Sequence, residues 1–145
     1  MTSTTRIAYF SMEIALAPSI PTYSGGLGIL AGDSLRSAAD LSVPMAAVTL
    51  LHRKDYFRQR LDEKGNQFEE LAVWNPGEQL ELMEPTVSVT VEGRQVMVRA
   101  WRFLIQGIAG HVVPVYLLDT ALNENSPWDQ TLPPKSPLST TSWSL

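Results

Sequence analysis

The sequence predicts an α/β fold in which a parallel βαβ unit is followed by a region of antiparallel hairpins. Three observations predict it. An apolar run, a helix-periodic segment and a second apolar run follow one another between residues 6 and 51. Three glycines, Gly25, Gly26 and Gly28, stand where that helix should begin. From residue 56 onward the periodicity changes to alternation around turn-forming clusters.

Arg6 to Met12 is a short apolar and aromatic run that reads as a buried strand. Ala17 to Ser24 contains Pro18 and Pro21, which cannot continue a regular element, so this stretch is a loop. From Leu27 the apolar positions are 27, 30, 31, 35, 38, 39 and 41, a helical spacing, with Asp33, Arg36, Ser37 and Asp40 on the other face. Pro44 ends the helix, and Met45 to Leu51 follows as a continuous apolar strand. Strand, helix and strand in this order imply a right-handed parallel crossover.

Tyr56 to Gln59 and Gln67 to Leu71 flank the cluster Asp62 to Asn66, which predicts a hairpin. In a second hairpin Val87, Val89 and Val91 alternate with polar residues, Glu92-Gly93-Arg94 turns, and Val96, Val98, Ala100 and Phe103 return. Gly107 to Gly110 forms another turn before a last strand, His111 to Leu118, which ends at Asp119. There is no internal repeat and no heptad pattern.

With 145 residues, 44% hydrophobic and 18% charged, the chain has the composition of one ordinary globular domain. A formal net charge of -4 gives no electrostatic reason to expect a nucleic-acid or membrane partner. No cysteine is present, which removes disulfides and thiolate metal sites. The first residues carry no apolar run of signal-peptide length, so a cytoplasmic location is expected.

The glycine loop admits two readings. In the first, Gly25 and Gly26 make a tight turn and Gly28 lets the helix pack closely on the sheet. In the second, the loop presents backbone N–H groups at a helix N-terminus, where the macrodipole favours a phosphate. Gly26 to Ala31 also fits G-x-G-x-x-A, but that dinucleotide fingerprint wants a strand running directly into the first glycine. Here a loop with two prolines intervenes, and His52-Arg53-Lys54 stands where an acidic residue should follow the next strand. A dinucleotide site therefore fits poorly. Glu13 follows the first strand, at the edge of an open sheet where ligands gather. The two histidines, His52 and His111, have no carboxylate partner at ligand spacing, so no metal site is expected. Nucleophile elbow and P-loop motifs are absent. Trp74 and Trp101 suit core packing as well as sugar stacking.

Ile7 to Glu13, Tyr23 to Asp33, Leu35-Arg36, Ala38 to Leu41, Val43-Pro44 and Tyr56 to Gln59 together resemble the N-terminal part of the glycogen/maltodextrin (α-glucan) phosphorylases. Gly65, Gln67, Glu69, Trp74, Pro76 and Val115 to Asp119 extend the resemblance, which covers roughly residues 6–130. Starch and glycogen synthases share the Gly-Gly-Leu-Gly loop but place a Lys where this chain has Tyr23.

The resemblance implies a Rossmann-like part of a two-domain, GT-B type glycosyltransferase that phosphorolyses α-1,4-glucan to glucose 1-phosphate with pyridoxal phosphate. By the same analogy Gly25, Gly26 and Leu27 approach the cofactor phosphate, while Glu13, Tyr56 and Gln59 line the glucan path. The family prefers Gly where this chain has Ser42 and Asp55. Its cofactor lysine and phosphate-binding cations belong to a C-terminal domain outside this sequence. No complete catalytic set and no bound cofactor are therefore expected, and self-association through exposed core surface is. Residues 1–130 read as a partial domain, and 131–145, rich in Pro, Ser and Thr, as a disordered or frameshifted tail.

Overall fold

The computed structural model describes residues 6–53, 57–71 and 74–131, with side chains described outside 57–59 and 69–71. A mixed five-stranded sheet runs in the order β1-β2-β7-β6-β5, and β3 and β4 form a separate two-stranded sheet. Strand β1 (Ile7–Phe10) is joined by helix α1 (Gly26–Asp40) to β2 (Met45–Leu50), and β1 and β2 pair in parallel. The parallel arrangement extends to β7 (Val112–Asp119), so the carboxyl ends of β1, β2 and β7 share one edge.

On the other side of β7 the sheet is an antiparallel meander with β6 (Arg94–Gln106) and β5 (Glu81–Val91). The β5–β6 turn puts both Glu92 (φ 48°) and Gly93 (φ 78°) at positive φ, as a type I′ hairpin requires. Pro85 lies inside β5, where the register shifts between Leu82 and Thr86. An edge strand tolerates that loss of a donor; a central one would not. The other hairpin pairs β3 (Phe57–Leu61) with β4 (Gln67–Leu71). Its turn is organised by Asp62, which accepts from the amides of Lys64 and Asn66 at 2.9 and 2.8 Å and from the Asn66 side chain at 2.9 Å. These bonds hold the Asp62 carboxyl below its usual range, those from Asn66 most of all.

The core lies between α1 and one face of the sheet. Ala31, Leu35, Ala38 and Ala39 of the helix meet Ala47, Trp101, Ile105, Val113, Val115 and Leu117. Ile14, Leu16 and Ile20, from the loop after β1, complete it. Small residues on the helix stripe allow close approach. A Cβ at Gly28 would fall 2.5 Å from the Tyr23 Cβ, and one at Gly107 would fall 2.2 Å from the Ala39 carbonyl oxygen.

The end of α1 explains residue 42. Val43 N–H donates to the Ala38 carbonyl at 2.9 Å and Ser42 N–H to that of Ala39 at 3.2 Å, the paired bonds of a Schellman motif. Ser42 occupies its left-handed position, φ 57°, where glycine is usual.

Two expectations are corrected. Strand β1 is an exposed edge, with Phe10 72% exposed, because it pairs with β2 alone among the described strands. Leu27, Leu30 and Leu41 are exposed too, because the buried stripe of α1 runs through Gly28, Ala31, Gly32, Leu35, Ala38 and Ala39. Trp101 is in the core and Trp74 packs against it. Thr131 ends a short 3-10 turn, Asp129–Thr131; the rest of the expected tail lies outside the described residues.

Candidate functional site

The loop from Glu13 to Gly25 leaves β1 at the carboxyl edge of the sheet and returns the chain to the start of α1. It is tied down by main-chain bonds: Ile14 N–H donates to the Thr22 carbonyl at 3.2 Å and Ala15 N–H to that of Gly28 at 2.9 Å. The buried Thr22 hydroxyl donates to the Ile14 carbonyl at 2.6 Å. Arg36 reaches back from α1 and donates to the carbonyls of Ala15 (3.0 Å) and Leu16 (2.7 Å).

Glu13 bridges this loop. Its carboxylate accepts from the Ser24 hydroxyl at 2.9 Å and from the Ser24 amide at 3.2 Å, next to the glycines. Gly25 is the N-cap residue of α1 in extended conformation; no side chain caps the helix, and no acidic residue lies in its first turn. The Gly26 and Leu27 amides are the first two of the helix, which lack intrahelical acceptors by geometry. Leu27 is 81% exposed beside them. The chain turns directly into the helix here, Gly28 N–H donating to the Gly25 carbonyl at 3.1 Å. A Cβ at Gly25 or Gly26 would meet nothing within 4 Å, so the surrounding fold does not demand glycine there. Gly28 does permit close packing, but against Tyr23 and Glu13 of the loop, not against the sheet.

Glu13, Ser24, Gly25, Gly26 and Leu27 are therefore brought together. Gln59 lies in β3 opposite Glu69, in the separate hairpin, and its side chain is outside the described residues, as is Tyr56.

A second constellation on the carboxyl edge is absent from the sequence reading. The Asp119 side chain, only 2% exposed at the end of β7, accepts through Oδ2 from Arg53 Nη2 (2.6 Å), Arg99 Nε (2.9 Å) and Trp101 Nε1 (3.0 Å). Its Oδ1 accepts from the Ala121 amide at 3.0 Å. Burial pushes the carboxyl up, but the bonds from Arg53, Trp101, Ala121 and Arg99 outweigh it and hold the pKa at about 2. The Arg99 guanidinium also lies 5.6 Å from the centre of the Trp101 ring. Two guanidiniums thus converge on one buried carboxylate. Its signal in the sequence was a lone Asp closing the apolar run Val112 to Leu118. Among the described residues no group of His, Asp or Glu is placed to hold a metal, and no helix is long and apolar enough to cross a membrane.

The carboxyl edge of this α/β sheet carries the Glu13 loop, the start of α1 and the Asp119 cluster. The chain is an α-glucan phosphorylase-related segment. It is 39% identical to a maltodextrin phosphorylase of Thermococcus litoralis over 133 residues, 87% of this chain and 15% of that protein. A glycogen phosphorylase of Mycobacterium tuberculosis is 44% identical over 127 residues, 83% of this chain and 14% of that one. A glycogen phosphorylase of Aquifex aeolicus is 34% identical over 132 residues, 87% and 18% respectively. The chain thus spans under a fifth of the length of these relatives. No family model matches it.

Proposed function

We propose that this chain forms one wall of the phosphate and glucan site of an α-glucan phosphorylase of GT-B type, the enzyme that transfers a glucosyl unit from α-1,4-glucan to inorganic phosphate. The observation that carries the reading is the pair Gly25 and Gly26, glycines that open α1 without being required by any neighbour in the fold. Glycine at such a point leaves room for a ligand to approach the amides of Gly26 and Leu27. Those amides, with the helix dipole, stabilise phosphate charge without a titrating group. Glu13 holds the loop through Ser24 and faces the same edge. Tyr56 and Gln59 are assigned to the glucan path on the resemblance alone.

The bare helix N-terminus fits the phosphate of pyridoxal phosphate, and that group, when bound, supplies proton transfer to inorganic phosphate. The described residues do not fit its aldehyde. Lys64, in the β3–β4 turn, is the one lysine among them. In this reading the lysine comes from the part of the phosphorylases beyond the match, and the chain alone is inactive and binds no pyridoxal. Its site is cytoplasmic.

Titrating the chain with inorganic phosphate while following backbone amide shifts tests the reading. Shifts concentrated at Gly26 and Leu27, reduced in Gly26→Pro, are expected. Proline suits the first position of a helix and removes one donor there without breaking it. Shifts scattered over the surface, or unchanged in Gly26→Pro, would overturn it.

A further inference from the structure

Strand β7 is shorter than its neighbour β6. Their pairing runs from Gln106 to Arg99, where Asp119 ends it, whereas β5 pairs with β6 as far as Arg94. One side of β6, from Arg94 to Val98, therefore has no strand beside it among the described residues. A strand edge left open in this way is a template for pairing with another chain. The outer edges of the sheet carry their own safeguards: β1 has only four residues, and β5 is interrupted by Pro85 and a register shift. The notch on β6 has neither.

A side chain fills it. The Asn125 carboxamide accepts from the Met97 amide at 2.7 Å and donates to the Met97 carbonyl at 2.7 Å, the pair of bonds that a facing strand residue makes. Its second amide proton goes to the Thr120 carbonyl at 2.7 Å, and Asn125 is only 6% exposed. The segment that carries it is fastened on both sides. Gln130 Nε2 donates to the Asn125 carbonyl at 3.0 Å, and the Ser126 hydroxyl to Asp129 at 2.7 Å. The buried Asp129 in turn pairs with Arg94, at the start of the notch, at 3.1 Å.

We propose that residues 120–131 are an edge guard, and that the partner they exclude is the same edge of a second copy of this chain. The edge is self-complementary. Backbone groups alternate in direction along a strand, so the N–H and C=O of Gln95 point the same way as those of Met97, away from β5. An antiparallel copy centred on Gln95 sets Gln95 opposite Gln95 and Met97 opposite Gly93, within the open stretch. A copy centred on Met97 would instead bring Gln95 against Arg99, a place that Asp119 already takes. This inference rests neither on the phosphate site nor on the phosphorylase relationship.

Sedimentation of the full chain tests it. Asn125→Ala opens the notch and is expected to self-associate at least about tenfold more tightly than the parent. Gln95→Pro removes the central N–H of the open edge without taking a bond from β5, and edge positions tolerate proline. Added to Asn125→Ala, it should restore the parent's behaviour, which a mere loss of stability would not allow. The chain has no cysteine, so Gln95→Cys reports the register. Facing residues of a hydrogen-bonded antiparallel pair stand about 5.5 Å apart between Cα atoms, within disulfide reach. Oxidised glutathione is expected to link most chains that carry Gln95→Cys with Asn125→Ala, and few that carry Gln95→Cys alone.

An Asn125→Ala chain as monomeric as the parent, association that Gln95→Pro does not relieve, or equal cross-linking with and without Asn125 would overturn the proposal. So would failure of both Asn125→Ala and the milder Asn125→Ser to fold, since the segment would then belong to the core and not to its cover.

Discussion

Gly32 rests directly on the backbone of Ala15: a Cβ built on Gly32 would lie 2.2 Å from the Ala15 carbonyl oxygen. This contact presses the loop that carries Glu13 onto α1, and Arg36 bonds the same carbonyl from the next turn of the helix. Because the opposing atom is main chain, it cannot swing aside. Gly32→Ala is expected to destabilise the chain by about 2–3 kcal/mol through overpacking, measured by urea unfolding. A loss near zero would mean that the loop is not seated on the helix.

The three glycines at the start of α1 should separate cleanly under the same substitution. Gly28→Ala brings a Cβ to 2.5 Å of Tyr23, whereas Gly25→Ala and Gly26→Ala meet open space. The first should lower the stability and the other two should leave it within about 0.5 kcal/mol of the parent. Calorimetry on the three variants checks this. Equal losses at all three positions would remove the argument that Gly25 and Gly26 are kept for a ligand.

Ser42 offers a gain. It holds φ 57° in the Schellman end of α1, a conformation that costs an L-residue with a Cβ roughly 1 kcal/mol or more. Ser42→Gly is expected to stabilise the chain by up to about 1 kcal/mol, less the extra freedom that glycine brings to the unfolded state. Chemical denaturation at fixed pH measures it, and a destabilised variant would contradict the strain at this position.

Asp119 predicts an acid limb. Its folded pKa of about 2 lies below the ordinary value of 3.8, so its contribution is fully present above about pH 4 and is lost as pH falls toward 2. Asp119→Asn should flatten the stability profile between those limits. It should also lower stability at neutral pH, since Arg53 and Arg99 then face each other across a neutral amide. A wild-type profile already flat from pH 4 to 2 would show that the carboxylate is not held as described.

Much of this fold was legible in the sequence, where local chemistry decides the outcome. The helix end before Pro44, the turns at Asp62 to Asn66 and Glu92-Gly93, and the parallel unit all follow from short-range signals. What was not legible depends on neighbours distant in sequence. Ile7 to Phe10 looks like a buried strand, and only the strand order makes it an edge. Leu27, Leu30 and Leu41 satisfy helical spacing, yet the helix turns its smaller residues to the core because close backbone contacts with the Glu13–Leu16 loop and Gly107 select them. Residues 81–86 were not expected to be strand, since Glu84 and Pro85 interrupt any alternation. Of the candidate site, the glycine loop was found because it is contiguous. The Asp119 cluster, drawn from β7, β6 and the residues after β2, has no contiguous trace.

The strand order also dictates a timetable. Strands β5, β6 and β7 are joined by short turns and pair with their sequence neighbours, so their meander closes at little entropic cost. Strand β2 pairs with β1 across the α1 crossover, but its other partner is β7, which is synthesised only after β3, β4, β5 and β6. A growing chain therefore carries this βαβ unit through the synthesis of β3 to β6 with that partner not yet made. The βαβ unit that holds the glycine loop is the part that must wait, and β7, the last made of the described strands, is the template on which β2 and β1 settle.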